Sequence, residues 1–293
     1  MSQLLNQLYT TRWYISKLID DLEKGNAFDK KSGFTAEIKK ELNTAVTLME
    51  GFAPAKDTKK PLLWYPNAVI PNFRQKTKGK YKKNYPKGII VHWIWAPQVG
   101  GKENAEFWSK WASEQGYTFF TLGNDGTVVQ SFPLDEWGSH AGESYWPNIG
   151  SSVSEHFVGI EIVCEGKIQK FADGKFGNER KTDTGKITRT YVDQSQVRTI
   201  NNNTDNIAKG YYQMYTPQQE EALIKLILWL KQNNPDVFNL DLVLGHDEVA
   251  GPSGLGLVNS NYKNTWRKTD PGGSLSMSMP QFRALLKDKY SKL

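Results

Sequence analysis

The chain opens with two stretches in which apolar residues recur at helical spacing. In residues 3–24, leucine, isoleucine and tryptophan recur every three or four positions, and Gly25 follows them. A second stretch of this kind covers about 35–51. The spacing predicts an N-terminal helical region over residues 1–53. Residues 54–87, which are rich in proline and lysine, are predicted to be a connector.

From Ile89 onward, short apolar runs replace the helical spacing. Buried strands are predicted at 89–93, 157–164 and 240–244, because each run has the length and composition of a strand covered on both faces. The runs 117–122 and 127–132 flank an Asp-Gly pair and predict a hairpin. Helices are predicted at about 103–115, from Thr216 onward and at about 280–290.

This alternation of strands and helices, with one hairpin, predicts the fold class. We expect an α/β fold, a mixed central β-sheet flanked by helices, with the N-terminal helices as an appendage. The main domain would cover 88–293. Two polar segments interrupt it: 165–211 is expected to be a long insertion or flap, and 251–266 a loop insertion rich in glycine, asparagine and serine.

Composition and charge narrow the classes of partner. A 38% apolar content excludes wholesale disorder, and a net charge of +6 suits a polyanion. The cations concentrate in residues 74–87, which are either an ordinary solvated segment or a patch that faces anionic cell-envelope polymers. No nucleic-acid module accompanies them, so no nucleic-acid partner is expected.

Two further features concern location and redox chemistry. No stretch of 18 apolar residues exists, and the first residues lack the pattern of a signal peptide, so neither a transmembrane segment nor a signal peptide is expected. If the substrate lies outside the cytoplasm, another route must deliver the protein. Cys164 is the only cysteine and falls in an apolar run, which favours a buried hydrophobic role over a nucleophile.

The histidines carry the first chemical signal. There are four, and two of them, His92 and His246, directly follow apolar strands. A single histidine at such a place is usually structural, but two at the strand ends of one sheet could converge on one point. A catalytic zinc ion needs three protein ligands and an open position for water, and two histidines with one carboxylate are a standard set. His156 is expected to be structural or exposed.

Six short motifs then occur in an order that resembles a known family, the type 2 N-acetylmuramoyl-L-alanine amidases. These amidases share a fold with peptidoglycan recognition proteins and amidase-type phage lysozymes, and the resemblance covers about 88–290. In order, the motifs are Gly-Ile-Ile-Val-His at 88–92, Asp-Gly-Thr-Val at 125–128, Ser-His-Ala-Gly at 139–142, Val-Gly-Ile-Glu at 158–161, Gly-His-Asp-Glu-Val at 245–249 and Arg-Lys-Thr-Asp-Pro-Gly at 267–272.

The resemblance implies a role for each matching residue. His92, His246 and Asp270 match the zinc ligands. Glu161 matches the general base, and Lys268 matches the lysine that stabilises the oxyanion. The alternation of residues 158–163 agrees, because it places Glu161 on the side of its strand opposite the apolar isoleucines.

Three further residues are expected to contact substrate. His140 lies in the His-Ala-Gly motif of the family, and Tyr117 lies near a tyrosine used by another branch, although one residue too far from Asp125. Trp93 directly follows the first ligand, where the family usually has a different sequence. The tryptophans are expected mostly in the core, but Trp93, Trp95, Trp137 and Trp146 adjoin motif positions and could line a groove.

The third ligand is where the chain departs most from the family. His246 and Asp270 are 24 positions apart, more than is usual, and the excess is the segment 251–266. Loop length adds little closure cost, so the insertion can leave a site intact. Asp247 and Glu248 are too near His246 to reach the same ion comfortably.

The resemblance implies zinc-dependent hydrolysis of the bond between N-acetylmuramic acid and L-alanine in peptidoglycan, by an enzyme of endolysin type released without a signal peptide. Two alternatives stay open. One is a recognition protein that binds peptidoglycan without cleaving it. The other is an amidase that recycles soluble muropeptides in the cytoplasm.

Overall fold

The computed structural model describes residues 60–182, 184–203, 207–251 and 268–293. The predicted N-terminal helices, and most of the predicted loop 251–266, lie outside these residues. Residues Pro61–Leu293 form one compact unit. None of the helices in the described part of the chain combines the length and the apolar composition that crossing a bilayer requires.

Short strands and a smaller number of helices make up this unit. The strands in the described ranges are β1 (Gly79–Lys80), β2 (Gly88–Trp93), β3 (Phe120–Leu122), β4 (Val128–Val129), β5 (Glu136–Trp137), β6 (Tyr145–Trp146), β7 (Gly150–Ser151), β8 (Phe157–Ile162), β9 (Lys167–Lys170), β10 (Phe176–Lys181), β11 (Ile187–Val192), β12 (Val197–Ile200), β13 (Gly210–Gln213) and β14 (Val243–Gly245). The helices are α1 (Gly101–Gln115), α2 (Pro217–Asn233), α3 (His246–Val249) and α4 (Met279–Ser291).

The central sheet confirms the predicted mixed α/β architecture. Its strand order is β14-β2-β8-β3-β4, with parallel pairing from β14 to β3 and an antiparallel edge strand β4 that closes the predicted hairpin. Ile89, Ile90 and Val91 of β2 have no exposed surface, because apolar clusters cover both faces of the sheet. Burial on both faces explains why these strands have continuous apolar sequences.

Helix α2 begins as its sequence predicts. Thr216 is the N-cap, Gln219 completes the capping box, and Pro217 occupies the first helical position. The apolar side of the helix places Leu223 and Ile227 in the main core, where they pack against the central sheet. The helix predicted at the end of the chain is also confirmed, as α4.

Residues 165–211, expected to be an insertion or flap, contain most of a second sheet. Its strand order is β11-β10-β9-β13-β12, and all pairs are antiparallel. Its buried apolar cluster consists of Ile168, Phe176 and Val192, with Val197 and Tyr211 packed against it. Most residues of these strands are exposed or only partly buried, so their sequences lack the apolar runs by which the central strands are recognised.

The described part of the predicted connector, residues 60–87, is packed against the domain. Tyr65, Tyr81 and Tyr85 are buried, and the hydroxyl of Tyr85 donates to the carbonyl of Leu230 at 3.0 Å. Exposed and covered positions alternate along 74–82, so that the cations lie on one side and Gln75 and Tyr81 on the other. This period of two explains how a lysine-rich segment can also contribute to the core.

Candidate metal centre

The carboxyl ends of the parallel strands meet at one edge of the central sheet, and this is where the site lies. His92 of β2 is in register with Glu161 of β8, which is in register with Thr121 of β3. Gly245, the last residue of β14, pairs with Val91. His246 therefore follows directly beside His92. Crevices at the carboxyl ends of parallel strands are the usual ligand-binding places of such sheets.

Three of the predicted residues form a buried cluster at this edge. The Nδ1 atoms of His92 and His246 are 2.9 Å apart, and Oδ2 of Asp270 lies 2.9 Å from the second and 3.3 Å from the first. Four-coordinate zinc with bonds of about 2.0–2.1 Å separates its ligand atoms by about 3.3 Å. In the described residues, this group is the one in which three such side chains could hold a metal ion.

The ring of His246 is oriented by the backbone. Its Nε2 lies 3.2 Å from the carbonyl oxygen of Ala141, which can only accept a hydrogen bond. Nε2 therefore carries the proton, and Nδ1 of the neutral ring presents its lone pair to the cluster. Such a hydrogen bond on the far nitrogen is the usual arrangement for histidines that ligate metals.

His92 is oriented in the same way, but through a second histidine. The carbonyl of Phe157 lies 2.9 Å from Nε2 of His140, so that nitrogen donates and Nδ1 of His140 is free to accept. Nε2 of His92 lies 3.1 Å from this acceptor. The Nδ1 lone pair of His92 is thus directed at Asp270. Gly159 leaves room for this arrangement, since a Cβ there would lie 2.7 Å from Cγ of His140.

Burial favours the neutral form of His92, as metal ligation requires. Burial and, to a smaller extent, the neighbouring His246 lower the pKa of His92 to about 4. Burial and the nearby His92 also hold the pKa of His140 well below its usual value. Burial opposes ionisation of Asp270, yet His246 and His92 outweigh it and hold the pKa of that carboxyl well below its ordinary range. Two neutral nitrogens and one carboxylate suit zinc.

Glu161 lies beside this cluster. Its Oε1 is 4.0 Å from Nδ1 of His92, and its Oε2 is buried without a hydrogen-bond partner among the described residues. Burial, and then the negative charge of Asp270, raise the pKa of Glu161 well above its ordinary value, while Lys268 opposes the shift. A carboxylate with a perturbed pKa and an unused oxygen in a cleft has the character of a proton-transfer group.

Glu161, His246 and Asp270 line a cleft of about 1070 Å³, and His92 is buried beside them. The lining includes the other residues that were expected to contact substrate, namely Trp93, Tyr117, His140 and Lys268. Trp95 lines it too, whereas Trp137 and Trp146 belong to short two-stranded sheets outside it. His156 is also outside the cleft lining.

The two acidic alternatives for the third ligand have other surroundings. Glu248 accepts hydrogen bonds from Arg283 at 2.8 and 3.0 Å and from the backbone nitrogen of Gly245 at 2.9 Å. The backbone nitrogen of Asp247 donates to the carbonyl of Asp270 at 2.8 Å. Asp247 therefore contacts the backbone of the third candidate ligand, while the side chain of Glu248 is held by Arg283.

Sequence reasoning missed one polar contact at the rim of the cleft. Arg180 of the second sheet pairs with buried Glu165 at 2.9 Å, donates to the carbonyl of Trp95 and lies 5.0 Å from the centre of the Trp95 ring. This contact joins the second sheet to the segment after β2. No motif marks it, because both charges fall in a stretch that is polar throughout.

Comparison with known proteins gives one family and several similar folds. The model of the N-acetylmuramoyl-L-alanine amidase family matches residues 82–273, about two thirds of the chain. No curated protein matches the whole sequence significantly.

Solved structures with a similar fold include a selenomethionine derivative of AmpD, at 19% identity and a TM-score of 0.40, over 76% of this chain and 96% of that one. The endolysin amidase LysCS from Clostridium intestinale has 17% identity and a TM-score of 0.38, over 77% and 98%. AmpDh3 from Pseudomonas aeruginosa, in complex with an anhydromuramic pentapeptide, has 16% identity and a TM-score of 0.37, over 75% and 66%.

Proposed function

The chain belongs to the N-acetylmuramoyl-L-alanine amidase family, and on this basis we propose that it hydrolyses the amide bond between N-acetylmuramic acid and L-alanine in peptidoglycan, with a zinc ion held by His92, His246 and Asp270. The observation that carries the proposal is the buried cluster of these three side chains beside Glu161, with His246, Asp270 and Glu161 lining one cleft. Family membership supports the type of reaction, and the cluster supports the metal.

The surroundings of the donor set make it fit for zinc. Both imidazoles have their far nitrogens engaged, so each offers one lone pair, and the carboxylate is anionic. A bound zinc ion supplies Lewis-acid polarisation of the amide carbonyl and a lowered pKa for the attacking water. An amide needs this help because it is a poor electrophile with a poor leaving group.

Glu161 then moves the proton. Its carboxylate takes a proton from the attacking water as the carbon–oxygen bond forms. It returns that proton to the amide nitrogen as the carbon–nitrogen bond breaks, so that the stem peptide leaves as an amine. Oε2, which has no hydrogen-bond partner in the part of the chain that the structure describes, is available as the acceptor in this transfer. Lys268, in the lining of the same cleft, supplies positive charge for the developing oxyanion.

The first test uses purified muropeptides and the full chain with added zinc. Release of free stem peptide, lost with a chelator and restored by zinc, is the expected result. Binding without release, unaffected by the chelator, would favour a recognition protein instead. Loss of turbidity from purified sacculi is expected of a lytic enzyme of endolysin type, whereas cleavage of soluble fragments alone would favour a recycling amidase.

We also infer that the exposed cations of residues 74–87 contact anionic cell-envelope polymers. Lys76, Lys78, Lys82 and Lys83 are exposed, while Arg74 and Lys80 form ion pairs with Glu136 and Asp135. Interactions between exposed charges are screened over about 8 Å at physiological salt. Binding to anionic envelope polymers should therefore weaken with rising salt, and binding that does not change with salt would contradict this contact.

A further inference from the structure

Helix α1 and the second residue after its end carry four aromatic side chains that form a chain of ring contacts, which we call the aromatic face. Its members are Phe107, Trp108, Trp111 and Tyr117. The ring centres are 5.2 Å apart for Phe107 and Trp108, and 5.6 Å apart for Trp108 and Trp111. Those of Trp111 and Tyr117 are 6.0 Å apart, with the two rings stacked. The face is therefore one continuous surface.

The aromatic face points away from the core. Phe107 is 59% exposed, Tyr117 41% and Trp111 38%. The buried residues of the same helix are small: Ala105, Ser109 and Ala112. An amphipathic helix usually turns its large apolar side chains inward, so folding of this helix alone does not explain the arrangement. Contiguous exposed apolar surface of this kind marks a binding site.

The aromatic face continues into the cleft of the metal centre. Trp108, Trp111 and Tyr117 line that cleft together with Glu161, and Phe107 extends the surface beyond it. A different part of the lining is cationic, since the second sheet contributes Lys167 and Arg180. Helix α1 and Tyr117 thus contribute aromatic, uncharged lining, while the second sheet contributes two basic side chains, of which Arg180 is paired with Glu165.

The proposed substrate has the same division of chemistry about its scissile bond. The stem peptide carries free carboxylates. The glycan carries pyranose rings with apolar C–H faces, and the lactyl carboxyl of N-acetylmuramic acid is neutral while the peptide is attached to it. Aromatic rings offer flat apolar surfaces that suit such sugar faces.

We propose that the aromatic face binds pyranose rings of the glycan strand, next to the sugar whose amide bond is cleaved. The assignment of glycan to α1, and of stem peptide to the cationic lining, rests on the proposed function. The face would hold the enzyme on polymeric peptidoglycan, beyond what the metal centre itself contacts.

The test measures binding of a soluble N-acetylglucosamine oligomer to the full chain by titration calorimetry. This probe has pyranose rings but no lactyl group, no peptide and no charge. Neither the scissile amide bond nor the basic side chains of the cleft therefore contribute to its binding. Replacing two of the three exposed members, Phe107→Ala with Trp111→Ala, should weaken binding by about tenfold or more, since interface aromatics of this type carry much of the binding energy. The single Phe107→Ala variant, at the most exposed position, should show a smaller loss in the same direction.

Trp64→Ala is the matched control, because Trp64 is also 38% exposed and does not line the cleft. It should bind the oligomer like the parent. The proposal is overturned if the parent does not bind the oligomer, if the double variant binds as well as the parent, or if Trp64→Ala weakens binding equally. It is also overturned if the parent sediments as a dimer that the double variant dissociates, because the face would then be an interface between two copies.

The kinetic counterpart separates this inference from the proposed function. In the double variant KM for insoluble sacculi should rise more than KM for a soluble disaccharide muropeptide, and kcat on either should change less. Oligomer binding without any amidase activity in the parent would refute the proposed function and leave the sugar site standing. Amidase activity with no oligomer binding would do the reverse.

Discussion

The two five-stranded sheets of this protein differ in what they bury and in what they contribute to the site. The central sheet has apolar clusters on both faces and holds His92, Glu161 and His246 at the carboxyl ends of its strands. The second sheet has a small cluster around Phe176 and contributes cleft lining such as Arg180. A closely packed sheet positions the candidate metal ligands and Glu161, and a thinly packed one supplies part of the cleft wall.

The difference has a physical basis. Ligand atoms must be held within fractions of an ångström of productive positions, which requires surroundings that fix each side chain. His92 has this support from His140 and the carbonyl of Phe157, both at or beside β8. The wall of a cleft needs less support, so it can be built from partly exposed antiparallel strands. Substitutions in the two sheets should therefore affect different properties of the protein, and to different extents.

The largest effect is expected from Asp270→Ala, which removes one of the three proposed ligands. Zinc content should fall to near zero and activity with it, because even partners outside the ligand set are worth about 10–100-fold in metal affinity. Metal analysis of the purified variant, alongside stem-peptide release, measures both. Asp247→Asn is the control, since it leaves the three ligands in place. Loss of zinc in Asp247→Asn and not in Asp270→Ala would relocate the third ligand.

Glu161→Gln should separate chemistry from metal binding. Removal of a general base costs about 10²–10⁴-fold in turnover, while the three ligands and the bound zinc remain. The matched control is Glu143→Gln, because Glu143 is another glutamate that lines the same cleft. Turnover and zinc content are measured together. If Glu143→Gln lost turnover and Glu161→Gln did not, the base would be reassigned.

The strands of the central sheet could be predicted from the sequence much better than those of the second sheet. Strands such as β2 and β8 were predictable because burial on both faces requires uninterrupted apolar runs. Capping residues such as Thr216 gave the start of α2 directly. The second sheet gave no such signal, because its exposed strands alternate polar residues with few apolar ones. The contact of Arg180 with Glu165 depends on pairing between segments that no local pattern specifies.

Some features of the candidate site could also be predicted from the sequence, and others could not. The positions of His92 and His246 after apolar strands suggested convergence before any family was considered, and the structure brings them together. The choice of Asp270 needed the resemblance, since 24 residues separate it from His246. The hydrogen bond from His92 to His140 could not be predicted, because it depends on the missing side chain at Gly159 and on the register of β8 with β2.

Matched phenylalanine truncations compare the packing of the two sheets. Phe120 is fully buried in the main cluster, and its replacement by alanine should lower the free energy of unfolding by about 3–5 kcal/mol. Phe176 is 8% exposed in a small cluster, so Phe176→Ala should fall below the lower end of that range, at less than about 3 kcal/mol. Urea unfolding measures both. Equal losses, or loss of zinc in Phe176→Ala alone, would mean that the second sheet supports the metal centre.

The smallest effect concerns Cys164, which lies where the two sheets meet: it follows β8, and its Sγ is 3.4 Å from the carbonyl of Gln213 in β13. Burial raises the pKa of its thiol from 9.0 to about 12. Above pH 9.0 the unfolded chain therefore loses this proton while the folded chain keeps it, and the thiol's contribution to stability falls as pH rises toward 12.

Relative to Cys164→Ala, which lacks the group, the parent should lose about 1.4 kcal/mol of unfolding free energy between about pH 8 and about pH 10. Urea unfolding of both proteins at the two pH values cancels the tyrosines that they share. A difference between parent and variant that stays constant with pH would mean that the thiol is solvated, and that the junction of the sheets is more open than the structure shows.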